Sequence, residues 1–389
     1  MNRLIIIGNG FDLAHGYKTS YTDFILSYLK KSCIEAVNYN GSYTNINRNT
    51  RVDDRNSYED SLLNIKLKTK YNNVNYENFI NGCNNLKELF DFMQRYGFIK
   101  NFKSSFIKET IQHCEKLNWV DIENQYFQQI LFIKQNYDRN KEKNQKDLID
   151  LNTQMDFLSL KLEEYLSSLN IEEDNVEDSR LSNIFLSSIK KEEVVLLDLP
   201  ENIHPKNIYF LNFNYTSTVC RYSNSVSKTL PSQINYIHGE LNNEENQIVF
   251  GFGDEIDKSY HEIEELNENE YFKHIKSFKY FKTSKYHDLI RFTESAHYQI
   301  YIMGHSCGLS DRTLLNQVFE HENCKSIKIF YYTRPDGTND FIDKTFEISR
   351  HFKNKGIMRK KIVPFEKSSS ISKVTLIDKS NYITELSQI

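Results

Sequence analysis

The stretch LIIIGNGFDLAHG, Leu4 to Gly16, constrains the fold of this chain more than any other. Four aliphatic residues run straight into two glycines separated by one asparagine, and a Phe-Asp pair follows where a helix can begin. An apolar run without polar alternation suits a strand covered on both faces of a sheet. Glycines at the carboxyl end of such a strand let the backbone approach a phosphate under the next helix. Gly8, Asn9, Gly10 and Phe11 are therefore candidate nucleotide-binding positions. Asp12 would repel a nearby phosphate, so its ligand-binding role is a contact to a ribose hydroxyl. The match to the dinucleotide fingerprint is partial, because Leu13 stands where the third glycine is expected and the next glycine is Gly16. The alternative is a tight strand-to-helix turn without ligand, with Asp12 charging the first helical turn.

Further strand-like runs occur at Glu193 to Leu197, Ile208 to Asn212, Ile234 to Ile237, Ile248 to Phe250, Tyr298 to Met303 and Ser326 to Tyr331. Between the first strand and these lies different text. Residues 36–75 are rich in Asn, Ser and Tyr without periodicity, which predicts loops. From Tyr76 to Leu169 apolar residues recur at helical spacing, as in Leu148, Leu151, Met155, Leu158 and Leu162. The charged segments Asp138 to Asp147 and Ile171 to Asp178 predict exposed connections. The expected fold is a Rossmann-like α/β protein with a mostly parallel sheet and an inserted helical subdomain. Residues 1–35 form its first βα unit, 36–190 the insertion, and 191–389 the remainder of the core.

Composition narrows the function classes. A net charge of -4 over 389 residues gives no global attraction to nucleic acid or anionic membranes. No apolar run reaches the ~18 residues a membrane span needs, and the interrupted N-terminal run is no secretory leader. A cytoplasmic location is expected. The six cysteines are scattered without a C-x-x-C pair, which predicts free thiols and no metal site.

Three further clusters sit at predicted strand ends. Asn212-Phe213-Asn214-Tyr215-Thr216 follows the strand at 208–212, and its amides can bind a sugar hydroxyl, orient a water or satisfy a turn. His238-Gly239 follows the strand at 234–237 and offers a general base, or a structural histidine. Gly304-His305-Ser306-Cys307-Gly308 follows the strand at 298–303. Its form, G-x-S-x-G, is that of a hydrolase nucleophile elbow, with Ser306 as nucleophile, Asp336 or Asp340 as acid and His351 as base. Alternatively Gly304, His305 and Ser306 cradle a phosphate or ribose while Ser310 or Asp311 caps the following helix. Tyr271 to Arg291 interleaves lysines with aromatics, which predicts an amphipathic helix with a solvated lysine face rather than a nucleic-acid site. The Trp119 to Glu123 stretch reads as a helix N-terminus.

Together IIIGNGFDLAHG, NWVDIE, NFNYT, YIHGE with FGFGDE, and MGHSCGLSD resemble the AbiH family of bacterial phage abortive-infection proteins. More distantly the same blocks resemble the sirtuin-like NAD-binding fold. That resemblance implies that Asn214 and His238 are catalytic. It also implies that Gly8, Asn9, Gly10, Phe11, Asp12, Gly304, His305, Ser306 and Asp311 bind NAD or NADP, without a metal. Thr216 stands where the sirtuin-like motif carries an acid, and a zinc-binding cysteine set is absent from the sequence. The implied activity is release of nicotinamide from NAD(P) by an antiphage protein, with a phage-derived trigger and a homo-oligomer as expected partners. A non-catalytic nucleotide sensor that recruits a partner, and a serine hydrolase using Ser306, are the alternatives.

Overall fold

Residues 2–7 are buried throughout, and they form the central strand of a six-stranded sheet. The computed structural model describes residues 1–39, 43–47, 50–53, 56–135, 141–171 and 179–371. The chain divides into two compact units, Met1–Thr19 with Leu166–Ile389, and Ser20–Tyr165.

In the first unit the strands are β1 (Asn2–Ile7), β2 (Ile208–Asn212), β3 (Ser232–Tyr236), β4 (Tyr298–Met303), β5 (Cys324–Tyr331) and β6 (Ser369–Ser370). Their spatial order is β3-β2-β1-β4-β5-β6, and every pairing is parallel. This is the doubly wound order, in which the chain leaves β1 on one side and later returns on the other. The two faces of the sheet bury separate apolar clusters. One holds Leu4, Ile6, Leu211, Ile300 and Ile302, and the other Ile5, Ile7, Phe210, Tyr301 and Met303. Alternate side chains of one strand thus enter opposite cores, which is why the run at residues 4–7 has no polar position. The helices that matter for the site are α1 (Asn9–Ala14), α2 (Lys285–Ser295), α3 (Arg312–Glu320) and α4 (Phe341–Arg350).

The second unit begins with the helix Tyr21–Asn38, whose N-cap Ser20 accepts from the Asp23 amide. A three-stranded antiparallel sheet follows from Ser57–Glu59, Leu63–Leu67 and Phe98–Phe102. The helices Leu86–Arg95, Trp119–Gln135 and Lys141–Ser167 bury the apolar stripes expected of them. The ring of Trp119 lies 5.1 Å from Tyr21 and 5.8 Å from Phe24. These contacts tie the helix at residues 21–38 to the second unit. The divisions between compact units therefore fall at residues 19/20 and 165/166, whereas the sequence placed them at 35/36 and 190/191.

Three local expectations need correction. Residues 36–75 are not loop alone: they include the hairpin Tyr43–Asn47 with Thr50–Asp53 and the strand Leu63–Leu67, whose alternate residues are buried. Glu193 to Leu197 and Ile248 to Phe250 are not strands. Glu193 is instead buried between Gln299 and Lys328, and the Val249 amide bonds to His238 O. Of the connections predicted at 138–147 and 171–178, residues 138–140 and 172–178 lie outside the described residues, and residues 141–147 are helical rather than a connection. No described helix is long and apolar enough to cross a membrane, and none of the six cysteines, all among the described residues, forms a disulfide.

Candidate functional site

The doubly wound order places the ends of β1 and β4 side by side at the point where the connections diverge. The turn after each strand is held by the other. Gly8 N–H donates to Met303 O at 3.0 Å, Gly10 N–H to Gly304 O at 2.8 Å and Phe11 N–H to Gly8 O at 2.8 Å. A Cβ on Gly8 would come 2.5 Å from His305 Cα, and one on Gly10 2.8 Å from Gly304 Cα. Gly304 adopts φ +72°, and a Cβ there would lie 2.1 Å from Phe11 N. These glycines are required by the neighbouring turn before any ligand is considered. The amides of Gly8, Gly10 and Phe11 all donate within the protein. Phe11 itself is fully buried, while Asn9 is half-buried on the turn.

The turn after β2 joins this pair. Asn214 Nδ2 donates to Gly8 O at 3.1 Å, and its own N–H donates to Asn212 Oδ1 at 3.2 Å. Thr216 Oγ1 donates to Asp12 Oδ2 at 2.5 Å. Asp12 is 1% exposed, so its carboxylate faces Thr216 in the interior instead of an open ribose position. Burial pushes it up to about 6, against hydrogen bonds from Thr216, Thr218 and Asn214 that favour the charged form. Asp12 of α1 and Thr216 of the β2 turn thus join two strand ends.

His238, after β3, completes the cluster. Phe213 stands between two imidazoles, its ring 4.9 Å from His238 and 4.2 Å from His305. His238 Nε2 lies 3.2 Å from Asp311 Oδ1 and 3.2 Å from Tyr280 Oη. Lys276 Nζ donates to the same Asp311 oxygen at 2.8 Å, and His305 Nε2 is 3.7 Å from the other. Cys307 N–H donates to His305 Nδ1 at 2.9 Å, which leaves Nε2 as the protonated nitrogen of that ring. Burial would raise Asp311, yet Lys276 and His238 overcome it and hold the carboxyl well below the ordinary range. Burial and then Lys276 lower His238 against the pull of Asp311, and burial lowers His305 to about 3. His238 Nε2 thus sits beside both Tyr280 Oη, its hydrogen-bond partner, and a carboxylate whose counter-charge is Lys276.

Neither Ser310 nor Asp311 caps α3 through its side chain. Asp311 turns to Lys276, because a buried carboxylate gains more from an ammonium than from an exposed-helix amide. Lys276, only 1% exposed, is no part of a solvated face. Residues 271–291 are broken into short helical turns before α2. Two neighbours set the turn from Gly251 to Asp254: Phe252 N–H donates to His274 O at 3.0 Å, and Asp254 pairs with Arg312 at 3.1 Å. Lys276 and Tyr280 were missed as site residues in the sequence, where they are two of many lysines and tyrosines. The signal available was the two-glycine turn FGFGD, which needs a close neighbour.

Ser306 is exposed. The hydrolase arrangement expected around it does not assemble. His351 Nε2 donates to Cys307 O at 2.7 Å, Asp336 is bonded to Thr338, and Asp340 accepts from the Tyr332 amide. The positive φ of the turn falls on Gly304 and Cys307, not on Ser306.

The family described as Bacteriophage abortive infection AbiH matches residues 4–333, which takes in all four turns. The chain belongs to the AbiH family. Membership gives this AbiH protein a role in abortive phage infection. No curated protein and no solved structure matches the chain. Within the AbiH match, Gly8, Asn214, His238 and Asp311 stand on four separate chain segments that the sheet brings to one end.

Proposed function

We propose that this AbiH protein binds a nicotinamide nucleotide at the carboxyl ends of β1, β2, β3 and β4 and hydrolyses it, releasing nicotinamide. The observation that carries the reading is the convergence of Asn214, His238 and Asp311 at the switch point of a doubly wound sheet, where such folds bind nucleotides. A resemblance of the strand-end motifs to sirtuin-like NAD-binding proteins supports it.

The residues present suit loss of a glycosidic leaving group. The C1′–N bond breaks with its electron pair passing to nicotinamide, and a water oxygen bonds to C1′. The proton that water loses goes to the neutral imidazole of His238 and from there to solvent. With hydrogen on Nε2, beside Tyr280 Oη and the Asp311 carboxylate, Nδ1 is the nitrogen that can accept it. Asn214, its amide anchored on Gly8 O, fixes the β2 turn beside the glycine turn and presents a rigid edge to the ribose. Asp12 and Thr216 hold that arrangement from beneath rather than touching substrate.

The test is nicotinamide release from NAD and from NADP by purified protein, with and without phage lysate. His238→Ala is expected to lower the rate by about 10²–10⁴-fold, the usual contribution of a positioned base. Unchanged turnover in both His238→Ala and Asn214→Ala would sink the assignment. Nucleotide binding without turnover under every condition would leave a sensor in place of an enzyme.

A further inference from the structure

Resting on that reading of the site, we propose that Lys276 and Asp311 are positioning residues that hold His238 in one neutral tautomer, with the proton on Nε2 and Nδ1 kept as the acceptor. The geometry carries it. Asp311 is an anion backed by an ammonium at 2.8 Å, so its oxygens can only accept. A bare lone pair on a ring nitrogen 3.2 Å from Oδ1 would be repelled by that anion, whereas an Nε2 that carries hydrogen and donates to Tyr280 Oη, also at 3.2 Å, is attracted to it.

The groups that face His238 come from every side. Asp311 approaches from the start of α3, Lys276 and Tyr280 from the turns before α2, and His305 from the turn after β4 across the Phe213 ring. Of these only Asp311 is anionic. The Lys276 ammonium already draws on the Asp311 charge that a protonated His238 would need. His305 is no rival for a proton, because its Nδ1 already accepts from Cys307 N–H and its Nε2 already carries hydrogen. A proton added to this cluster after loss of Lys276 therefore goes to His238 Nδ1. Neither lysine nor aspartate reaches the reacting atoms in this scheme. They act through the imidazole, and Lys276 decides whether that imidazole is a base or an acid at neutral pH.

The decisive measurement is the ¹⁵N chemical shift pattern of the His238 ring in the intact protein across about pH 5 to pH 8, the interval in which an ordinary histidine titrates. The wild-type ring is expected to stay neutral throughout with hydrogen on Nε2. A ring found with hydrogen on Nδ1, or titrating near its ordinary value, overturns the proposal whatever the variants do. In Lys276→Met the His238 midpoint is expected to rise by at least about one unit, a tenfold gain in proton affinity, while Lys276→Arg keeps the ring neutral. The charge-free pair Lys276→Met with Asp311→Leu, which leaves no lone buried charge, is expected to lose the single tautomer and show a mixture. An unshifted midpoint in folded Lys276→Met, or a preserved tautomer in the double variant, refutes it.

Nicotinamide release separates this from the reading it rests on. If the ring behaves as described and no variant or condition yields nicotinamide, the tautomer device stands and the hydrolase assignment fails. If nicotinamide is released, Lys276→Met is expected to lose rate selectively on the acid side of its profile, which a merely structural loss would not do.

Discussion

One sheet carries buried charge at both of its ends, and the two ends are built differently. Near the amino ends of the strands, Arg3 is fully buried and donates to Phe185 O at 2.6 Å, Ser187 O at 2.8 Å and Gln299 Oε1 at 3.2 Å. Gln299 passes to Glu193 at 2.9 Å, and Lys328 reaches the other Glu193 oxygen at 2.6 Å. At the carboxyl ends the groups are two histidines, a carboxylate pushed up to about 6 and one lysine–aspartate pair. Paired charges and amides brace β1, β4 and β5 at one end. The histidines and the raised carboxylate gather where the parallel strands end. The difference is written on the same strands a few residues apart.

The contrast can be broken in several ways. The largest effect is expected from Gly304→Ala, which forces a Cβ to 2.1 Å from Phe11 N at positive φ. Loss of more than about 4 kcal/mol, or failure to fold, is expected in urea unfolding. A cost under about 1 kcal/mol would mean that the two turns are not interlocked. Arg3→Met comes next. It strips partners from several buried carbonyls and Gln299, with an expected loss of about 3 kcal/mol. Nicotinamide release per folded molecule should be unaltered, and a selective loss of turnover would join the two ends that the comparison separates.

Asp12 gives a smaller effect with a definite sign. Its folded value of about 6 lies above the ordinary 3.8, so the native state holds a proton more firmly than the unfolded chain. Stability is expected to fall as pH rises from about 4 to about 6 by up to about 3 kcal/mol, then level off with respect to this group. Asp12→Asn keeps the acceptor for Thr216 and should flatten that slope; an unchanged slope would remove Asp12 from the titrating end. Ser306→Ala is the least consequential, within about 0.5 kcal/mol of wild type in melting, because the hydroxyl is exposed.

Much of this end of the molecule was legible in the sequence. The apolar runs at residues 3–7, 208–212 and 298–303 became strands, and Asn214, His238 and Gly304 fell at strand ends as read. Partners were far harder to read. Asp12 and Thr216 are 204 positions apart, Lys276 and Asp311 35 apart, and neither pair shares a periodic pattern. Lys276 looked solvated because lysine usually is, and only a carboxylate buried beside it alters that expectation. The inserted unit misled for another reason. Its strands are short, such as Leu63–Leu67 with alternate residues buried, and lie amid loop-forming text.

By itself the sequence determined that a buried parallel sheet would form, that its strands would end in glycine, amide and histidine turns, and that the chain would match AbiH across residues 4–333. These follow from local chemistry: hydrophobic runs, turn residues and their order. Tertiary structure alone decided what the turns are for. It set Gly8 and Gly10 against Gly304 instead of leaving their amides free, lent Asp12 to Thr216, and gave Asp311 to Lys276 and His238 in place of a helix cap. The physical reason is that a buried polar group must find its partner in space, and the order β3-β2-β1-β4-β5-β6 is what brings those partners within 3 Å or so of one another.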